Sequence, residues 1–210
     1  MIHFFGDSFT YCQGCTLDHE YYQRTYNGTQ KTWVELISEY IDDSYINNGI
    51  SGVGNQKIFD NIVEQLHIIK ENDIVIISRA DDTRFMAPNS AEHHHQVIIN
   101  LLLNLDYKYK DWNDEAHKAV REYFKKVIVP YLPAITNRFN DIFFCFKRYF
   151  ESRGIKVIEW NVNEHLLDEN DKPKYSIISD EHPDINDSHW SWKGHEEFFK
   201  FIKNKYDELT

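Results

Sequence analysis

The chain has 210 residues, with 23 Lys plus Arg against 34 Asp plus Glu, a formal net charge of −11. That excess of acid argues against general affinity for nucleic acid or anionic lipid, since neither phosphate neutralisation nor counterion release is on offer. With 41% hydrophobic, 15% aromatic and 27% charged residues, the composition is globular, and the length fits one domain, residues 1–210.

The start, Met1-Ile2-His3-Phe4-Phe5, lacks the basic residues and the apolar run of about 7–15 residues of a secretory signal. No apolar run approaches the roughly 18 residues that span a bilayer. Cys12, Cys15 and Cys145 are too few for a disulfide scaffold. The expectation is a cytoplasmic protein without a membrane role.

The elements alternate between strand and helix. Ile2 to Phe5 reads as a short apolar strand ending at the turn residue Gly6. Thr32-Trp33-Val34-Glu35 is a capping box, followed by Val34, Ile37 and Ile41 at helical spacing. Tyr45 to Asn47 is a second strand, closed by Asn48-Gly49. Asn55 is placed as the cap of a helix whose apolar face is Ile58, Phe59, Ile62, Val63 and Leu66. Ile74-Val75-Ile76-Ile77 is a β-branched run of the kind found in a parallel strand covered on both faces.

Residues from about 86 to 152 read as a helical insertion: Val97 to Leu103, Val120 to Leu132 and Ile135 to Phe150, broken by Pro130 and Pro133 and closed by Gly154. Val157, Ile158 and Trp160 form a fourth strand, Tyr175 to Ile178 a fifth, and Ser191 opens a last helix. The predicted architecture is a three-layer, flavodoxin-like α/β/α sandwich around a mostly parallel five-stranded sheet.

Ligands of open α/β sheets bind beyond the carboxyl ends of the strands. After the first strand stands Gly6-Asp7-Ser8-Phe9-Thr10, where a serine projects into the crevice and its N–H can face an oxyanion. Taken alone, Asp7-Ser8 reads equally as a helix cap. After the second strand come Gly49, Gly52 and Gly54, any of which can supply a further oxyanion donor. Near the C-terminus, Asp187 and His189 share one face if the segment is extended, so that Asp187 can accept from His189 directly, or the chain turns to bring the two together. A carboxylate on one imidazole nitrogen leaves the other as a base for serine.

Together and in this order the three pieces resemble the SGNH (GDSL-like) hydrolase family. Gly6-Asp7-Ser8 matches its first block, Asn47-x-Gly49-x-Ser51-Gly52 its second, and Asp187-x-His189 with Gly194-His195 its last. The resemblance implies an ester hydrolase with Ser8 as nucleophile, His189 as base, Asp187 as acid, and the Ser8 and Gly52 N–H groups as oxyanion hole. It implies no metal and no organic cofactor.

Two departures stand out. The family places its Asp three residues before the His, where this chain has Asn186. Asp187 is therefore chosen, with Asp184 in reserve. The family's third block supplies an Asn, whereas the matching stretch here is Arg79-Ala80-Asp81-Asp82. An ionised Asp81 only accepts hydrogen bonds and repels an oxyanion. Asn55 is the nearest substitute donor, and Asp81, Arg79 and Arg84 are placed as substrate-binding residues, the arginines suited to carboxylate or phosphate. The expected partner is a small-molecule or glycan ester. The alternatives are a catalytically silent binding module and an acyltransferase using the same triad.

Cys12-Gln13-Gly14-Cys15 is read as structural thiols. His93-His94-His95 is read as a solvated helical face, and His182 as a surface histidine.

Overall fold

In chain order the elements are β1 (Ile2–Gly6), α1 (Ser8–Tyr11), α2 (Glu20–Thr25), α3 (Trp33–Ile41), β2 (Tyr45–Gly49), α4 (Asn55–Gln65), β3 (Ile74–Arg79), β4 (Arg84–Pro88) and β5 (His94–Ile98). Then come α5 (Asp114–Tyr123), a π-helical turn (Phe124–Ile128), a 3-10 turn (Val129–Tyr131), α6 (Leu132–Ser152), β6 (Lys156–Asn161), α7 (Val162–His165), α8 (Ile178–Glu181) and α9 (Trp192–Asp207). This computed structural model describes residues 1–81, 84–88, 94–98, 113–169 and 172–210.

The main sheet runs β2-β1-β3-β6, with every neighbouring pair parallel. Alternate strand residues feed two cores. Ile2, Phe4, Ile74, Ile76, Ile158 and Trp160 pack with α3 and α9, while Phe5, Val75, Ile77 and Val157 pack with α4 and α6. Both faces of the sheet are thus covered, which explains the unbroken apolar run in β3. Trp33 lies at the centre of the first core, edge-on to Phe4, Trp160 and Phe198 at 5.3, 6.3 and 5.1 Å. Burying a side chain of this size stabilises by at least about 1.5–3 kcal/mol.

Several local signals act as expected. The Thr32 N–H donates to Glu35 Oε2 at 2.7 Å and the Glu35 N–H to Thr32 Oγ1 at 3.4 Å, completing the capping box of α3. Gly154, at φ +73°, ends α6.

Four expectations are corrected. The sheet has four strands among the described residues, not five. Tyr175 to Ile178 makes only an isolated antiparallel bridge, Ile177 to Trp190. Its backbone bonds go elsewhere: the Ser176 carbonyl accepts the Ser191 N–H at 3.0 Å, and the Ser176 N–H donates to Glu197 at 2.9 Å. The insertion is not wholly helical. Arg84–Pro88 and His94–Ile98 pair as antiparallel strands, so His94, His95, Val97 and Ile98 lie on a strand. The rest of the expected helix at 97–103, and His93, fall outside the described residues. The expected helix from Val120 to Leu132 is α-helical only to Tyr123; π-helical and 3-10 turns follow through Pro130, and α6 starts at Leu132 rather than Ile135. A π or 3-10 register shifts the backbone bonds that a proline cannot donate. Finally, Gly54 is the N-cap of α4 and Asn55 its first residue, since the Asn55 side chain is drawn to β3.

Candidate active site

The turn after β1 presents Ser8. Asp7 caps α1 by accepting the Phe9 N–H at 3.1 Å, and its carbonyl accepts the N–H groups of Thr10 and Tyr11. Ser8 is therefore the first residue of the helix, only 3% exposed. Its N–H is one of the donors that a helix start leaves unused, and it makes no hydrogen bond among the described residues. Asn47 Nδ2 donates to the Thr10 carbonyl at 2.8 Å, which ties α1 to the end of β2. The approach is so close there that a Cβ on Gly49 would overlap the Tyr11 nitrogen.

Gly52 lies at φ +73° with open space around it. Its N–H is also unengaged among the described residues. Ser51 Oγ donates to Gln13 Oε1, joining this loop to the segment after α1.

Asp187 and His189 meet on the opposite side. Asp187 Oδ1 accepts both the His189 N–H, at 2.8 Å, and the His189 Nδ1–H, at 2.6 Å. Burial pushes the Asp187 carboxyl up, but the hydrogen bonds and charge of His189, with a further bond from His19, outweigh it and bring the pKa down to about 2. The carboxylate is thus ionised at neutral pH and holds the imidazole proton on Nδ1, leaving Nε2 with its lone pair. The segment is zippered to α8: the Ile178 N–H donates to the His189 carbonyl at 2.9 Å, and the Ser179 N–H and Oγ–H donate to the Asp187 carbonyl at 3.1 and 2.9 Å.

Phe9 brings the two halves together. Its ring lies 5.1 Å from the His189 ring and 4.8 Å from the Trp190 ring; Phe9 follows Ser8 in the chain, and Trp190 follows His189. Among the described residues no hydrogen bond links Ser8 Oγ to His189 Nε2.

The remaining candidates are spread around this centre. Asn55 is fully buried and grips the end of β3. Its Oδ1 accepts the Ala80 N–H at 2.9 Å and its Nδ2 donates to the Ala80 carbonyl at 3.0 Å. Asp81 follows directly, half-buried. Arg79 donates to Glu159 at 3.4 Å and to Asn140, and its guanidinium lies 4.8 Å from the centre of the Phe143 ring. Arg84 begins β4, and its side chain lies outside the described residues. Asp184 is taken up by Arg24 at 2.6 Å on the surface.

His195 is buried and uncharged. Burial, and then the charge of His189, push its pKa down to about 3, and its Nδ1 accepts the Trp33 N–H at 3.4 Å. Burial pushes the Cys12 thiol up to about 12 and Cys15 upward as well, so both stay protonated. His182 packs edge-on to Tyr21 at 5.6 Å.

One residue of the centre has no mark in the sequence. His19 Nε2 lies 2.9 Å from Asp187 Oδ2, across 168 positions of chain. No motif or periodicity signals that contact; only the tertiary fold makes it.

No family model matches the chain, and no curated protein does. Among solved structures it is similar to a protein of the lipolytic G-D-S-L family from Desulfitobacterium hafniense DCB-2, at 13% identity and TM-score 0.42 over 97% of each chain. It is also similar to a member of the lipolytic protein G-D-S-L family from Veillonella parvula DSM 2008, at 14% identity and TM-score 0.37 over 93% of this chain and 91% of that one. The α/β architecture follows from the sheet itself. Its strands are all parallel, and helices cover both faces.

Proposed function

We propose that the protein is a serine ester hydrolase acting through Ser8, His189 and Asp187. The observation that carries this reading is the 2.6 Å bond from His189 Nδ1 to an ionised Asp187, on a ring packed against Phe9 beside Ser8. The order Ser, Asp, His, each at a strand end or in the C-terminal loop, supports it further, as does the likeness of the first, second and last blocks to the SGNH pattern, the third departing at Asp81.

In this reading Ser8 Oγ attacks the ester carbonyl carbon, and its proton passes to His189 Nε2. The carbonyl oxygen becomes an oxyanion facing the Ser8 and Gly52 N–H groups. Collapse of the tetrahedral intermediate breaks the bond to the alkoxide, which leaves with the proton from His189. Water then attacks the acyl-serine by the same route in reverse and releases the acid. Asp187 holds the imidazole tautomer and offsets the charge of the imidazolium. Asn55 positions Ala80 through both ends of its amide, and in this reading it remains the candidate for the third oxyanion donor, since its NH₂ carries two N–H groups.

The substrate class proposed is a small acyl ester of a polar alcohol, such as an O-acetylated glycan. No helix among the described residues is long and apolar enough to cross a membrane. The buried free thiols Cys12 and Cys15 suit the cytoplasmic location proposed for the chain.

A second reading, a silent member of the fold used for binding, is favoured by one observation: the missing bond between Ser8 Oγ and His189 Nε2. Labelling with a fluorophosphonate probe separates the two. A hydrolase takes the label on Ser8, turns over p-nitrophenyl acetate, and loses both in Ser8→Ala. Wild type that neither labels nor turns over esters of any acyl length supports the binding module. Product analysis with an added acceptor alcohol distinguishes hydrolysis from acyl transfer.

A further inference from the structure

We propose that His19 is a positioning residue for Asp187, fixing which carboxylate oxygen serves His189; this role rests on the triad reading above. The tautomer of His19 is set by its own surroundings. It caps α2, its Nδ1 accepting the Tyr21 N–H at 3.2 Å. A nitrogen that accepts carries no proton, so the ring proton sits on Nε2. That N–H faces Asp187 Oδ2 at 2.9 Å, while Oδ1 takes the two bonds from His189. Each carboxylate oxygen therefore has its own imidazole. Rotation of the carboxylate, which would exchange the oxygens, breaks a bond on both sides.

The approach of His19 is imposed by the fold and is not a chance surface pairing. Its side chain is 23% exposed and that of Asp187 13%. The helix it caps is pinned to the C-terminal segment at several points. Tyr21 Oη donates to Glu181 at 2.7 Å and accepts the Trp192 N–H at 3.0 Å, and Trp192 Nε1 donates to Thr25 Oγ1 at 2.8 Å. α2 thus carries His19 to the carboxylate whether or not the pair forms. A catalytic group held loosely forfeits much of its advantage, since misplacement by about 1 Å costs up to about 10²-fold in rate.

Two conservative variants separate this role from helix capping. In His19→Asn, the side-chain oxygen falls where Nδ1 was and keeps the cap, but the side chain is too short to reach Asp187. In His19→Gln, the amide nitrogen falls near the place of Nε2 and keeps the donor to Asp187, but the cap is lost. The experiment measures kcat and KM on p-nitrophenyl acetate, fluorophosphonate labelling rate and Tm for both variants, alongside wild type and Ser8→Ala.

The expected result is that His19→Asn melts like wild type and loses about tenfold in kcat with KM unchanged. His19→Gln keeps kcat within about threefold while its Tm falls. If His19 only caps α2, activity follows Tm and His19→Asn matches wild type, which overturns the proposal while the triad reading stands. A wild type that takes no label overturns the triad reading and this role together.

Discussion

Asp187 and His189 stand two residues apart, yet their side chains meet at 2.6 Å. In an extended segment the two side chains would share one face; the chain makes an Asx turn instead. Asp187 Oδ1 accepts the His189 N–H at 2.8 Å and so folds the carboxylate back over the following residue, where the ring nitrogen reaches the same oxygen. The shortened spacing, which departs from the three residues of the SGNH pattern, is therefore compatible with a working pair.

This turn predicts how Asp187→Asn behaves. The amide oxygen can still accept the His189 N–H, so the variant folds, but its NH₂ takes the place of Oδ2 and faces the His19 Nε2–H, and the stability held by the ionised carboxylate is lost, so its Tm falls below that of wild type. It cannot offset an imidazolium. The expected loss in kcat is on the order of 10⁴-fold. Ester turnover and thermal melts on the same preparation check both halves.

His195 predicts a pH dependence of stability. Its folded pKa of about 3 lies below the ordinary value of 6.5, so the unfolded chain takes up this proton first as pH falls. Stability therefore declines from about pH 6.5 toward pH 3, at up to about 1.4 kcal/mol per unit. Asp187 acts lower down. Its contribution is complete above the ordinary 3.8 and is lost as pH falls through about 2. Urea denaturation of wild type and His195→Gln between pH 4 and 8 isolates the histidine: the variant has the shallower slope. Equal slopes would refute the assignment.

Gly194 predicts a steric limit. A Cβ there would overlap the Ser176 carbonyl oxygen, which already accepts the Ser191 N–H at 3.0 Å and the Ser191 hydroxyl at 3.2 Å. Gly194→Ala should cost about 1–3 kcal/mol. It should also lower ester turnover, because the same contact zippers the segment that carries His189. Urea midpoints and kcat read the two effects.

Asn55 predicts a local opening. Removing its side chain in Asn55→Ala leaves the buried Ala80 N–H and carbonyl without these partners. The expected cost is about 1–3 kcal/mol for each group left unsatisfied. Hydrogen exchange at the Ala80 amide should speed up more than at Ile76, in the middle of β3. Uniform acceleration along the strand would mean that Asn55 supports the whole fold rather than the segment after it.

Much of this was legible in the chain itself. The capping box of Thr32 and Glu35, the run Ile74 to Ile77, and Gly154 at the end of α6 act through neighbours a few residues away, so local pattern suffices to find them. The motifs from which Ser8, Asp187 and His189 are proposed as a triad are legible for a related reason: each is short, and their order along the chain carries information.

What only the tertiary structure decided involves partners far apart in sequence. Tyr175 to Ile178 has strand-like composition, but Ser191 and Glu197 take the backbone groups that a strand neighbour would have taken. Asn55 looks like a helix cap, but Ala80 claims both ends of its amide. His19 reaches Asp187 because α2 is bolted to the C-terminal segment through Tyr21 and Trp192. A hydrogen bond is won by whichever group the fold brings within about 3 Å, and that competition is settled in space rather than along the chain.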